Sequence, residues 1–424
     1  MALDLDGREG RLLGMRRRVA VLAERDFRRF FLGYATSMLG SSMASVATAF
    51  AVLGSGGGGT ELGDVMTARI LPLVLMLLVG GVLGDRLGSR RVMLAADLTR
   101  CAAQAGFAAM LFAGRPPLWS MVLLAAVSGV GEAAFTPSLS ALVPRLAPGS
   151  GLAPANTLLG FARAGASVAG PALAGVVTAL LGPAPVLAVD AASYAVSVAA
   201  LWRLPAAAPE ASTAGRSFPA ELRQGWSVFR SRTWLWVTSL HICLFNLFVW
   251  GPFLVLGPVV AGQRLGGAGA WGAVMACYGT GAVLGAVALL LCPAPPRPLL
   301  VAMAATLGWA LPSAALAWSL PLGWVGGAAL LAGVTSSVCG SLCATVTQAQ
   351  VRPQEQARTA AYSSLGAFAL GPLGLAAAGP VAAAVGVTAV LAFGALWQTL
   401  AVVVVTAVPA VRAGTAAGPH PQRR

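Results

Sequence analysis

The chain has no lysine, only two histidines, and 14 acidic residues against 28 basic ones, every one of them arginine. Without lysine it lacks a Gly-x-x-x-x-Gly-Lys-Ser/Thr phosphate-binding loop, which argues against ATP-driven work by this chain. His241 and His420 are remote in sequence from each other, and the acids are scattered. A metal site needs converging ligands and a hydrolytic centre needs a nucleophile beside a base, so no metal, no cofactor and no enzymatic chemistry are expected. Charge of either sign is scarce: charged residues make up 10% of the chain, where a soluble domain carries about 25%. No apolar run ending in a cleavage site occupies residues 1–26, so the first membrane span is expected to direct insertion itself.

Hydrophobic residues reach 57% and mean hydropathy is +0.79, so lipid rather than water is the expected solvent. The net charge of +14 does not point to nucleic acid, because the arginines sit in short loops without interleaved aromatic platforms. Topology and anionic lipid account for them. Cys101, Cys243, Cys277, Cys292, Cys339 and Cys343 all fall in or at the ends of apolar segments. Packing is expected there, not disulfides.

Twelve apolar segments, each of roughly 20 residues, are long enough to cross a hydrocarbon core of about 30 Å. They are expected near 28–53, 62–83, 92–113, 118–142, 153–181, 185–204, 234–260, 268–292, 299–318, 322–347, 358–382 and 385–409. Backbone groups in hydrocarbon must be satisfied within the segment, so the spans are helices. Of the 28 arginines, 23 fall in the terminal tails and alternate loops; Arg115 and Arg264 fall in the other loops, and Arg69, Arg100 and Arg163 lie inside spans. Positively charged loops stay in the cytoplasm, which places both termini there.

The longest break between spans, 205–233, separates two stretches of equal length, 27–204 and 234–411, flanked by tails 1–26 and 412–424. Each stretch is expected to form a six-helix bundle, as in transporters built from related halves. Gly170-Pro171 and Gly371-Pro372 echo one another across the cut, as do Pro144 and Pro353. Within the break, Leu222, Trp226 and Phe229 have the spacing of a surface helix lying along the cytoplasmic face.

After the second span comes Gly81-Val82-Leu83-Gly84-Asp85-Arg86-Leu87-Gly88-Ser89-Arg90-Arg91. This resembles the loop between the second and third helices of the major facilitator superfamily. The fold implied is all-α and integral to the membrane, with 12 transmembrane helices in two six-helix bundles. Gly88 permits a tight turn, and Asp85 can accept hydrogen bonds from amides at a neighbouring helix N-terminus. In the family that neighbour is the eleventh span, which here starts near Arg358, and the contact shuts the cytoplasmic gate. The alternative is that Asp85 and its arginines neutralise one another in a solvated turn.

In the fifth span, Gly165, Gly170, Pro171 and Gly175 resemble the glycine-proline motif of the drug-exporting branch; close helix packing is the plainer reading. Ala155-Asn156-Thr157 and Asp190-Ala191-Ala192-Ser193-Tyr194 are similar to the sub-branch of enterobactin and macrolide exporters, which implies a bacterial cell membrane.

Ionisable groups inside spans are costly and therefore candidates for function. Glu132 and Arg163 lie roughly 18 and 14 Å from the cytoplasmic ends of adjacent spans, at about 1.5 Å per residue. An ion pair between them is expected, either opened by a proton during transport or permanent and structural. Asp190 is the reserve candidate, and Asp97 is expected to pair locally with Arg100 three residues on. Tyr34, His241 and Asn246 are candidates for lining a substrate cavity.

These readings converge on a secondary transporter, a monomer exporting a hydrophobic or amphipathic small molecule in exchange for protons. An importer or lipid flippase of the same fold is the alternative. A receptor without transport activity would leave the Asp85 turn without a role, and a membrane-embedded enzyme would lack its chemistry.

Overall fold

The computed structural model describes residues 21–76, 88–114, 116–205, 226–227, 229–293, 295–351 and 353–412. Its long helices, in chain order, are α1 (Arg25–Gly54), α2 (Gly59–Met76), α3 (Ser89–Ala113), α4 (Leu118–Leu146), α5 (Leu152–Leu181) and α6 (Pro183–Trp202). They continue with α7 (Thr233–Leu265), α8 (Ala268–Leu291), α9 (Pro298–Ala317), α10 (Leu322–Gln350), α11 and α12 (Val387–Ala407). A turn at Ala369 and Leu370 splits α11 into Pro353–Phe368 and Gly371–Val385.

Among the described residues ten helices are long and apolar enough to cross a membrane, which makes this a multi-pass membrane protein. The two that fall below that mark, α2 and α3, carry Glu61, Asp64 and Arg69, and Arg90, Arg91, Asp97 and Arg100. These internal charges lower their hydropathy. The outside of the bundle is itself apolar, with Leu290 84% and Leu180 76% exposed, as a surface facing lipid requires.

Helix neighbours repeat under a shift of six. In the first half α1 packs on α5 and α6, α2 on α4, and α3 on α4 and α6. In the second, α7 packs on α11 and α12, α8 on α10, and α9 on α10 and α12. The main pairings between halves are α2 with α11 and α5 with α8, which exchange under the same shift. Two reversals repeat as well: Gly182 between α5 and α6 (φ 84°) and Gly386 between α11 and α12 (φ 90°) turn the chain in one residue with positive φ.

Glycines set how closely the halves approach. A Cβ on Gly63 of α2 would strike the Leu375 carbonyl of α11, and one on Gly175 of α5 would lie 3.0 Å from the Ala268 carbonyl of α8. Farther along the same seam, Gly279 of α8 lies against the Ser167 carbonyl. These approaches run from the end of the bundle with few arginines to about half depth. Toward the arginine-rich end the seam opens, leaving Phe161 of α5 70% exposed.

Candidate functional site

Two polar stripes face each other inside the first half. On α3, Asp97, Arg100 and Gln104 follow the i, i+3, i+7 spacing of one helix face; on α6, Asp190, Tyr194 and Ser197 follow i, i+4, i+7. Because α3 and α6 run antiparallel and pack together, the stripes meet in reversed order. Ser197 Oγ donates to Asp97 Oδ2 at 2.6 Å, and Gln104 Nε2 donates to Asp190 Oδ2 at 2.7 Å. Asp97 also forms an ion pair with Arg100, and both side chains are buried.

The Arg100 guanidinium is sandwiched between two rings, its Cζ 4.5 Å from the centroids of Phe135 on α4 and Tyr194 on α6. Gly131 makes room for it, since a Cβ there would lie 2.7 Å from Arg100 Cγ. Tyr194 extends the network to α1 through a 2.8 Å hydrogen bond with Ser41.

A second ion pair joins α2 to α4: Arg69 donates through Nη2 and Nε to Glu132 Oε2 at 3.1 and 3.3 Å. This corrects the expected partner of Glu132. Arg163 lies on an exposed part of α5 and donates instead to Tyr34 Oη at 3.0 Å. The physical reason is that α5 leaves α4 to pack on α1 and α8, whereas α2 occupies the face of α4 that carries Glu132.

Arg69 and Glu132 are part-exposed, at 24% and 33%, because they line a cavity of 260 Å³ with Val65, Met66 and Gln104 around them and Leu254 contributed by the second half. Ile70 and Leu73 line both this cavity and a second one of 420 Å³ that reaches Met76, Ser140 and Phe368 toward the arginine-rich end. The pair therefore stands at the inner end of an apolar path between the halves.

The second half is chemically different. Apart from Glu355 at the start of α11, its helices contain no acid. His241, expected in a substrate cavity, is buried against α9, with Nε2 3.0 Å from Thr306 Oγ1. Asn246 is buried too, its amide donating to the Ile242 carbonyl at 2.9 Å and to Ala367 of α11 at 3.2 Å. Tyr34 is 1% exposed. None of the three lines either of these two cavities, and each has a polar partner within the helix bundle. Asn246 opens a wide turn, Asn246–Trp250, just before Pro252, which has no N–H to continue the regular helical bonding. Behind it Trp250, Phe253, Tyr278 and Trp309 form an aromatic block, with the Trp250 and Trp309 rings edge to face at 4.8 Å.

Of the gate motif, Gly81, Asp85 and Arg86 lie outside the described residues, as does the side chain of Arg358. Gly88 has φ 82°, and α3 starts immediately after it. Arg90 is engaged within the first half, donating to the Leu201 and Trp202 carbonyls at 2.9 and 2.7 Å, where a cation complements the C-terminus of α6. Arg91 is exposed. In the glycine-proline motif, Gly170 lies against Ser42 of α1 and Gly175 against α8, whereas Gly165 has open space around it. Leu222 of the central break is outside the described residues; Trp226 and Phe229 stack on each other and both pack in tilted geometry against Tyr362 of α11, at 5.7 and 6.3 Å between ring centroids.

Gln104 and Ser197 were not singled out from the sequence, although matched polar stripes on α3 and α6 were there to be read; Ser193 entered only within the Asp190–Tyr194 motif.

Among known proteins, macrolide efflux protein A of Streptococcus pyogenes is 24% identical over 240 residues, covering 55% of this chain and 58% of that protein. Its Enterococcus faecalis namesake is 25% identical over 186 residues, covering 43% and 56%. The chain thus spans less than two thirds of the curated relatives it matches. Among solved structures, the nucleoside transporter NupG superposes with a TM-score of 0.71 at 12% identity, covering 90% of this chain and 98% of that one. A bacterial homologue of the iron transporter ferroportin in an inward-facing state gives 0.66 at 17% identity, covering 91% and 99%. The sequence matches the Major Facilitator Superfamily over residues 30–374, and the chain belongs to that family.

Proposed function

We propose that this protein is a proton-driven exporter of hydrophobic or amphipathic small molecules, working as a monomer by alternating access in a bacterial cell membrane. The observation that carries the reading is the Arg69–Glu132 pair on the wall of a largely apolar cavity between the halves. The cavity is built within one chain, so a single copy supplies the whole path. Family membership and the relatives named as macrolide efflux proteins support export and suggest macrolides as the first substrates to try.

The arginine distribution, with both termini in the cytoplasm, turns the open end of the seam inward. Residues 27–204 and 234–411 act as the two rocking bundles, joined by 205–233. The Asp85 turn, with Arg86, is the latch that closes the open end against the start of α11 around Arg358.

The test is macrolide accumulation in bacterial cells lacking their own exporters. Expression of the chain should lower accumulation, an uncoupler should restore it, and Glu132→Gln should behave like the empty vector while inserting normally. If expression leaves accumulation unchanged across a macrolide panel, and inverted vesicles show no proton-driven flux, the exporter reading fails.

A further inference from the structure

Among the described residues three carboxyls are embedded in the first half, and two of them have a cation of their own. Glu132 is matched by Arg69 and Asp97 by Arg100. Asp190 is fully buried and is held by neutral donors alone: Gln104 Nε2 at 2.7 Å on Oδ2, and Ser193 Oγ at 3.5 Å from Oδ1.

The elements packed on α6 bring no further cation to it. From α1 it meets Gly40, where a Cβ would lie 2.7 Å from Asp190 Oδ1, and no ionisable side chain. From α3 it faces Gln104, Cys101 and the Asp97–Arg100 pair; α5 carries only Arg163, which is bonded to Tyr34. Arg69 and Arg100 act on Asp190 through space, as does Asp190 on Tyr194. A third negative charge beside two matched pairs is expensive in a medium of low dielectric, and a proton is the smallest ion that can neutralise it.

Gln104 is placed to serve both protonation states. It lines the same cavity as Glu132, so it stands between that cavity and Asp190. Its amide N–H donates to the carboxylate, and a half-turn of the amide would present its oxygen to a carboxylic O–H instead.

We infer that Asp190 is the proton-carrying carboxyl of this protein and Gln104 its positioning residue, which leaves the Arg69–Glu132 pair to face the transported molecule. The assignment rests on the transporter reading for its purpose but not for its chemistry. One proton from solution converts the Asp190 carboxylate to the acid, and its release to the opposite side restores the carboxylate. Neutralisation removes the surplus charge acting on Arg69, which links proton binding to the cavity-lining pair.

Infrared difference spectroscopy of the purified full-length protein, stepped through pH, reads the carboxylic-acid C=O stretch without any substrate. Subtracting each variant from the wild type isolates that carboxyl. The expected result is a titrating band that disappears in Asp190→Asn, remains in Glu132→Gln, and titrates about one pH unit higher in Gln104→Leu, where a donor to the ionised form is lost. A band unchanged in Asp190→Asn, or lost in Glu132→Gln, overturns the assignment. Should Asp190→Asn not fold, an unchanged midpoint in Gln104→Leu overturns it equally. Macrolide flux in proteoliposomes of the same preparations keeps the two readings apart. Titration at Asp190 without flux in the wild type removes the exporter reading and leaves the proton site standing; flux without titration at Asp190 does the reverse.

Discussion

At the scale of single residues, the fold depends most on Arg100. A buried guanidinium forfeits its hydration, and here the ion pair with Asp97 and the two rings at 4.5 Å offset that loss. A lysine would keep the charge but present a compact ammonium that cannot stack between Phe135 and Tyr194. Arg100→Lys is therefore expected to lower stability by roughly 2 kcal/mol, read as thermal unfolding of the detergent-purified protein. An unfolding temperature equal to the wild type would show that stacking contributes nothing. The Asp97–Arg100 pair was legible in the sequence because i, i+3 neighbours on a helix meet whatever the tertiary packing. The partner of Glu132 was not. Depth along the helix identified two side chains at similar height, but azimuth decides which helix faces which, and α4 shows Glu132 to α2 rather than to its successor. Short connections suggest adjacency between consecutive helices without guaranteeing it.

At the scale of elements, hydropathy located the membrane-spanning helices, and it was weakest where charge enters a span. Among the described residues α2 and α3 are the helices that fall short, because Glu61, Asp64 and Arg69 and Arg90, Arg91, Asp97 and Arg100 interrupt them. Expected ends agree with the helices to within a few residues in most places; α11 departs, starting at Pro353 and breaking at 369–370. The wide turns in α7, Asn246–Trp250 and Ala261–Leu265, left a trace in Pro252 and Pro258, but proline alone does not distinguish a kink from a widened turn. The glycine-proline motif of α5 shows the limit of pattern reading most plainly. Its glycines look equivalent in sequence, yet a Cβ on Gly175 would press on the α8 backbone and one on Gly165 would meet nothing within 4 Å. Gly175→Leu should force α5 and α8 apart at an overpacking cost of about 1–3 kcal/mol, whereas Gly165→Leu should be tolerated. Thermal stability of the two variants in the same detergent checks this, and equal losses would mean that the α5–α8 seam does not depend on close approach.

At the scale of the whole molecule, the two seams between halves, α2–α11 and α5–α8, exchange under a shift of six, so under the proposed alternating access they would work as one hinge pair. Both are tight at the arginine-poor end, and the cavities open toward the arginine-rich end. A protein caught in one of two such states should be pushed toward the other by a wedge at the tight end. Gly63→Leu is that wedge, because its Cβ would meet the Leu375 carbonyl across the α2–α11 seam. Overpacking of about 1–3 kcal/mol corresponds to roughly a 5- to 150-fold shift between two states. Thr136 and Ser140 line the open cavity and are exposed, so single cysteines there, in a chain freed of its native cysteines, should react with a polar maleimide in inside-out vesicles. Adding Gly63→Leu should suppress that labelling, while a cysteine at Thr67, which now bonds the Pro372 carbonyl at 3.1 Å, should become reactive from the other side. Loss of labelling at Thr136 without a gain at Thr67 would indicate collapse of the fold rather than exchange of access. Labelling of Thr136 only in right-side-out vesicles would reverse the orientation drawn from the arginines and make the open end external.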